Sequence, residues 1–372
     1  MNHPAILSTP IDSIDAFRVS VPLTQPIYAI GSLITAREFI FARVTAGGQT
    51  GTGFGLTRGA SIETVVDRQI APLLKNRTIG DIRAIWQSAR DTTRMVGDTG
   101  LFARALAVVD IALWDVMTRV LGVPLWRLLG GRQQDVPCAA IMGYYRQGDQ
   151  LSVLRAEAEA LVKAGYTRFK MPFGADKALD IQRVAALREI AGDKAVIGLD
   201  ANAVFDTPKQ AATAWRSVER FAPAFLEDPF PGVEWQQAME MSRSSDIPIA
   251  FGEVLSSPDA VQQLSAGIDI LRPDATHQLG VTGYIQGVGR ALEHRTPIFP
   301  HYFPDIHAPL LGALGGWMTE ESPFEADTVG FWQMRATQPV ITNGMWRLTD
   351  APGFGIDWDE ERLTRFRVKT KT

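Results

Sequence analysis

The sequence predicts a (β/α) barrel preceded by a smaller α+β domain. Two observations carry that expectation. The first is a set of apolar runs that end in an acid: Ala195-Val196-Ile197-Gly198-Leu199-Asp200, Phe225-Leu226-Glu227 and Ile247-Pro248-Ile249-Ala250-Phe251-Gly252-Glu253. They place Asp200, Glu227 and Glu253 at steps of 27 and 26 residues. A strand, a loop and a helix together need roughly 30 residues, so each step is one βα unit. The second is a change of grammar at Gly130-Gly131. Before it, strands come first and helices follow; after it, short apolar runs and helical patterns alternate.

In order along the chain, Ile14–Val21 alternates as a strand. Glu38–Val44 runs into the turn signal Ala46-Gly47-Gly48, and Thr52–Leu56 returns. Between them Gln25–Ser32 reads as a loop with apolar residues, able to cover something. Helical period begins at Ile62 and is clearest over Phe102–Val120, where Phe102, Leu106, Val109, Leu113, Val116 and Val120 recur at three- and four-residue steps before Gly122 and Pro124. The barrel strands are then expected at Val136–Met142, Thr167–Met171, the three acid-terminated runs, Ile268–Asp274, Pro297–His301 and, last, around Phe324-Glu325. Helices are expected at Leu151–Lys163 and 177–191. The tail, Gly344–Phe366, is turn-rich and β-like, and is expected to pack back on the first domain. The expected divisions are 1–132, 133–343 and 344–372.

Composition narrows the function. A chain of 372 residues with 46% hydrophobic and 21% charged residues is ordinary for a soluble globular protein. A net charge of −4 gives no electrostatic case for nucleic acid or a membrane surface. The single cysteine, Cys138, permits no intrachain disulfide, and with five histidines a thiolate zinc site is excluded. The start, Met1-Asn2-His3-Pro4, lacks the basic and apolar regions of a signal peptide, so a cytoplasmic location is expected.

Three acids at the ends of successive parallel strands would converge on one point, repel one another, and call for a cation. All would offer oxygen ligands, the preference of a hard ion such as Mg²⁺. The next strand ends carry Asp274 and His301. A carboxylate beside an imidazole makes a base with its orienting partner. Lys170, ending the second strand, would be costly to bury without a carboxylate partner, and can contact the metal acids or a substrate carboxylate. His307 and Asp305 lack a strand-end position, and His307 is expected on a helix surface or interface. Glu325 can belong to the eighth strand or to a solvated acidic run over Glu321–Glu325.

These residues resemble the enolase superfamily, mandelate racemase subgroup. The marks are Ala107–Asp115 with Gly122-Val123-Pro124 and Leu128–Gly131, then Asp200-Ala201-Asn202, Glu227-Asp228-Pro229, Gly252-Glu253, Pro273-Asp274, Gly280-Val281-Thr282-Gly283, His301 and Glu325. The resemblance implies a (β/α)7β modified TIM barrel with an N-terminal capping domain, and Mg²⁺ held by Asp200, Glu227 and Glu253. It also implies a His301–Asp274 general base, Glu325 as a hydrogen-bond donor to the enolate oxygen, and a homo-oligomer. Tyr28, on a mobile flap, and Asn202 join Lys170 as substrate-binding residues.

Two departures matter. Many members carry Lys-x-Lys on the second strand, the second lysine being a base on the opposite face; here Lys170-Met171-Pro172 puts proline there. Asp228 also stands where glutamate is common. One clear base and one missing base favour a sugar-acid dehydratase, acting on a small carboxylate to give a 2-keto-3-deoxy acid. A racemase or epimerase would need Lys170 as its second base. A cycloisomerase is expected to carry a lysine on the sixth strand, where Asp274 stands. A non-catalytic binding barrel would not need a base pair beside three acids.

Overall fold

The computed structural model describes residues 6–29, 32–132, 134–148, 150–323 and 329–369. Three antiparallel strands open the chain: β1 (Ile11–Ala29), β2 (Ser32–Ala46) and β3 (Gln49–Leu56). The described residues of the expected loop over Gln25–Ser32 are instead strand: Gln25–Ala29 end β1 and Ser32 begins β2. Pairing is interrupted between Pro22 and Ile27, then resumes as Ile27–Ile34, Tyr28–Leu33 and Ala29–Ser32. Pro26, which has no N–H to donate, lies in that interruption.

The Gly100–Leu121 helix packs across this sheet and ends at Gly122 in a left-handed cap. The approach is close: a Cβ on Gly53 would stand 1.8 Å from the Val108 carbonyl oxygen.

The barrel follows. Parallel strands β4 (Asp135–Ile141), β5 (Arg168–Pro172), β6 (Val196–Asp200), β7 (Phe225–Glu227), β8 (Ile249–Phe251) and β9 (Ile270–Leu271) are hydrogen bonded in that order. The expected helices are present as Gln150–Lys163 and Lys177–Ala191. The sixth and seventh strands are much shorter than their apolar runs predict. Pro297 and Pro300 cannot donate, so the seventh segment joins β9 through Phe299 N to Leu271 O (2.9 Å) and His301 N to Pro273 O (3.0 Å). The eighth strand is β10, Thr319–Glu321, parallel to β4, so the ring closes before Phe324 is reached. Phe324 and Glu325 lie outside the described residues.

The tail begins as a hairpin, β11 (Ile341–Thr342) and β12 (Met345–Arg347), with β12 antiparallel to β4. It then returns to the first sheet, where Arg43 pairs with Glu360 of the Glu360–Phe366 helix and Val368 N reaches Arg18 O at 2.8 Å. None of the helices among the described residues is long and apolar enough to cross a membrane.

Polar contacts from the Gly100–Leu121 helix and from Trp86, on the Ile82–Thr92 helix, seat the N-terminal domain on the barrel. Asp110 accepts Thr282 N at 2.9 Å and Thr282 Oγ1 at 2.7 Å, capping the Gly280–His294 helix from another element. Gly280 permits this, since a Cβ there would meet Asp110 Oδ2 at 2.3 Å. Trp86 Nε1 donates to Leu279 O at 2.9 Å and Trp114 Nε1 to Thr282 Oγ1 at 3.0 Å.

Burial raises the Asp110 pKa to about 7, against the pull of its hydrogen bonds from Thr282 and Val281. The fold therefore binds one more proton than the unfolded chain between about pH 4 and 7. Stability from this group is complete below that window and declines as pH rises through it, by at most about 1.4 kcal/mol per pH unit. Urea unfolding of wild type and Asp110→Asn across this range should show a flatter profile for the variant; identical slopes would rule the assignment out.

Candidate active site

The C-terminal strand ends meet beneath the hairpin sheet, where a barrel builds its site. At the floor, four charges are buried together. Lys170 Nζ on β5 lies 2.8 Å from Glu227 Oε1, 3.0 Å from Glu320 Oε2 and 3.4 Å from Asp200 Oδ2. Arg272 Nη2, just past β9, lies 2.9 Å from Glu227 Oε1 and 2.7 Å from Glu320 Oε1. Its guanidinium also stacks 3.9 Å over the Phe299 ring and donates to the Phe299 carbonyl. Glu320 additionally accepts Tyr302 N at 2.7 Å.

Burial opposes the charge on Lys170, but Glu227 and Glu320 outweigh it and its pKa rises above the ordinary lysine range. Glu320 falls to about 2, since Arg272 and Lys170 overcome its burial.

On one wall, His301 Nδ1 lies 2.8 Å from Asp274 Oδ2, and its Nε2 lies 3.3 Å from Glu253 Oε2. Asp274 Oδ1 accepts Thr276 N at 2.7 Å. Burial works against both charges of this dyad. For Asp274 the nearby His277 and the His301 bond prevail and push its pKa far down; for His301, Glu253 and Asp274 prevail and raise it. His277 Nδ1 meets the Glu253 main-chain oxygen at 2.5 Å, tying the ends of β8 and β9 together.

His307, expected on a helix surface or interface, is fully buried between the loops after the sixth and seventh strands. Its Nε2 accepts Ala275 N at 3.0 Å and its Nδ1 meets Tyr302 O at 2.6 Å, so it braces the loops that carry Asp274 and His301. Asp305 pairs with Arg335.

Asp200 and Glu227 are register partners on β6 and β7, and Glu253 follows β8 by two residues. Their chemistry fits a hard cation. Glu227 Oε2 and the neighbouring Asp228 Oδ1 are buried with no hydrogen-bond partner. Burial raises Glu227 to about 7 despite Arg272 and Lys170, and lifts Asp228 far above the carboxylate range, with Glu253 and Glu227 adding to the effect. Negative charge here exceeds what the local cations neutralise, and every donor is oxygen.

Among the described residues, however, no three acids or imidazoles stand in a geometry that encloses an ion. Each acid turns an oxygen toward a cationic side chain: Asp200 and Glu227 toward Lys170, Glu253 toward His301. Glu227 keeps Oε2 unbonded, whereas an oxygen of Asp200 and one of Glu253 are engaged with Lys170 and His301.

The cavity bounded by Lys170, Asp200, Glu253, His301 and Glu320 is about 40 Å³, and Ala29, Arg37, Leu56 and Arg58 roof it. Asn202 also lines it; its N–H donates to Asp200 Oδ1 at 2.9 Å. Tyr28 does not line this cavity. It faces an adjoining space of about 580 Å³, bordered also by Tyr145, Phe173 and Asn202, where its hydroxyl accepts from Gln147 Nε2 at 2.9 Å. Non-glycine residues with left-handed backbone gather at this mouth: Arg58, Asn202, Ala203, Asp228, Tyr302 and Phe303. Sequence reasoning missed Glu320, Arg272, Arg37 and Arg58. The only signal for Glu320 is the acid pair Glu320-Glu321 after Trp317-Met318-Thr319, which reads equally as a solvated run.

Residues 13–130 match the mandelate racemase/muconate lactonizing enzyme N-terminal domain, and residues 153–362 match the enolase C-terminal domain-like family. The chain belongs to the enolase superfamily, in its mandelate racemase subgroup. Within this subgroup it is 28% identical to a 3,6-anhydro-α-L-galactonate cycloisomerase of Streptomyces coelicolor, over 95% of this chain and 98% of that one. It is also 28% identical to an L-talarate/galactarate dehydratase of Salmonella typhimurium, over 79% and 76%. A solved racemase from Streptomyces coelicolor A3(2), with bound magnesium, superimposes at a TM-score of 0.88 with 26% identity, covering 96% of this chain and all of that one. The three named relatives carry three different reaction names on one scaffold.

Removing the Lys170 charge leaves Glu227 and Glu320 with Arg272 alone. Lys170→Met should cost about 3–5 kcal/mol of stability, read by urea unfolding. An unchanged midpoint would mean the four charges are not coupled.

Proposed function

We propose that this chain is a magnesium-dependent lyase. It takes the proton α to a substrate carboxylate and eliminates the β-hydroxyl, as a sugar-acid dehydratase giving a 2-keto-3-deoxy acid. The observation that carries the reading is the asymmetry of proton-transfer groups across the site. One wall has an imidazole oriented by a carboxylate, His301 on Asp274. Opposite it, Lys170 is held as an ammonium among Glu227, Glu320 and Asp200, its pKa raised, and Pro172 stands where a second lysine would be. An ammonium fixed in this way is a poor base. Inverting a carbon centre needs a base on each face; elimination needs one.

Asp200, Glu227 and Glu253 would hold the metal, which supplies positive charge against the second negative charge that develops on the substrate carboxylate. His301 accepts the α-proton and, on the same face, returns a proton to the departing hydroxyl. Asp274 holds the imidazole through Nδ1 and stabilises its cationic form. Lys170 presents a fixed positive charge to the substrate carboxylate, and its neighbours keep it protonated. Asn202 and the hairpin carrying Tyr28 shape the entrance.

Two experiments test this. Calorimetry should find one Mg²⁺ per chain, with Asp200→Asn, Glu227→Gln and Glu253→Gln each weakening it by at least about tenfold; undiminished binding would remove these acids from the metal site. Aldonic and aldaric acids should then be assayed with Mg²⁺ for 2-keto products, wild type against His301→Asn. Turnover should fall by at least about 10²-fold in the variant. If no acid yields a keto product while a chiral acid is racemised, the chain is a racemase.

A further inference from the structure

The roof of the acid cavity is basic, and the reaction proposed above does not use it. We propose that Arg37 and Arg58 form a subsite for a second carboxylate, so that the substrate is a dicarboxylate. The inference rests on reading the cavity as a carboxylate-processing site and adds which carboxylates it takes.

Register turns Arg37 inward. It shares a face of β2 with Phe39 and Phe41, and Phe39 packs its ring against Phe303 and Phe331 at the barrel mouth, with centroids 6.3 and 5.3 Å apart. Arg37 is accordingly 9% exposed and lines the same cavity as Lys170 and His301.

Arg58 reaches that cavity from the end of β3 by a turn fixed on both sides. Thr57 N donates to Glu38 O at 3.1 Å, Thr57 Oγ1 bonds Glu38 Oε1 at 2.7 Å, and Gly59 N donates to Thr57 Oγ1 at 3.1 Å. Between them Arg58 is held at φ 53°, a left-handed conformation unfavourable for a non-glycine residue. The turn aims its guanidinium at Glu253, stopping at 3.9 Å. That is near enough for attraction and too far for a hydrogen bond.

Two guanidiniums thus border one small cavity. Burial lowers the Arg37 pKa; Tyr144 partly offsets this, and Arg58 adds a smaller lowering. A carboxylate matches the planar fork of each guanidinium, and the cavity that both arginines line is shared with Lys170 and His301. The α-carbon end of the substrate belongs at Lys170 and His301 on the barrel side. The roof therefore reads the other end.

The test uses achiral probes, so the unknown stereochemistry of the substrate does not enter. Malonate, succinate, glutarate and adipate are compared with monocarboxylates of equal chain length, by calorimetry in Mg²⁺. At least one diacid should bind about tenfold or more tighter than its monoacid partner, and Arg37→Gln should abolish the difference. Arg58→Gly removes the charge while relieving the backbone, and serves as the control for misfolding of the buried Arg37 variant. It too should lose the preference, and Arg58→Lys should keep part of it. Equal binding of mono- and diacids, or a preference that survives Arg58→Gly, overturns the subsite. Matched galactarate and D-galactonate assays separate the two readings. Equal kcat/KM for keto-product formation from the two defeats the subsite and leaves the dehydratase. A diacid binding preference without any keto product supports the subsite and defeats the dehydratase.

Discussion

Four buried charges at the barrel floor hold the rest of the site in place. Lys170 and Arg272 share Glu227 and Glu320, and all four are at most 3% exposed. Such a cluster is not a source of stability by itself, because desolvating each ion costs several kcal/mol that the mutual attraction must offset. What it supplies is position. Glu227 can reach two cations only through Oε1, which leaves Oε2 buried and unbonded. Glu320 cannot rotate without releasing Lys170, Arg272 and the Tyr302 N–H together. Tyr302 follows His301, so the floor also sets where the imidazole stands. The same attraction keeps the proton on Lys170, and the asymmetry on which the proposed elimination rests follows from it.

The roof is set by a separate system of buried polar contacts. Asp115 accepts Thr52 N and Phe354 N, both at 2.9 Å, together with the Arg119 guanidinium. One carboxylate thus ties β3, the Gly100–Leu121 helix and the returning tail. Asp110 does the same between that helix and the barrel. Because β3 is anchored this way, the turn at its end has little freedom, and Arg58 keeps its place over Glu253. Fold and site are linked through the sheet that the helix carries.

Much of this was legible in the sequence, for a physical reason. The strand ending at Asp200 and the two helices before it have strong periodicity and clear stops, and they lie where the pattern puts them. Asp200 and Glu227 fall in register because βα units of similar length deliver their strand ends to one level. Legibility failed where pairing rather than pattern decides. The hairpin to Ala29 depends on partners across the turn, and the run at Gln25-Pro26 looks like a loop from one strand alone. Pro297 and Pro300 thin the seventh strand to two donors. Glu320 was overlooked because an acid pair at a strand end has the composition of a solvated run, and only closure against β4 reveals which acid faces Lys170. Arg272 was hidden by its own type, since a guanidinium in an apolar run gives no sign of stacking on Phe299. His307 reads as a surface residue until Tyr302 and Ala275 are seen to bond its two ring nitrogens.

Floor, wall and roof differ in charge, and the difference constrains what the pocket can accept. The floor is balanced, two cations against two acids. The wall is acidic: Glu253 and Asp274 flank His301, and Asp200 stands across from them. The roof is basic, and Arg104 behind Arg58 adds to it. Burial lowers the pKa of Arg104, as does Arg58, while Asp274 and Glu253 pull it back. Arg58 of the roof and Glu253 of the wall attract across the cavity at 3.9 Å, and the space there is about 40 Å³. A neutral ligand entering here would separate those charges and receive nothing in exchange. On the proposed function, an anionic ligand at the roof would compete with Glu253 for Arg58 and leave that acid freer to meet a cation. Entry of substrate charge and assembly of the acid cluster would then favour one another.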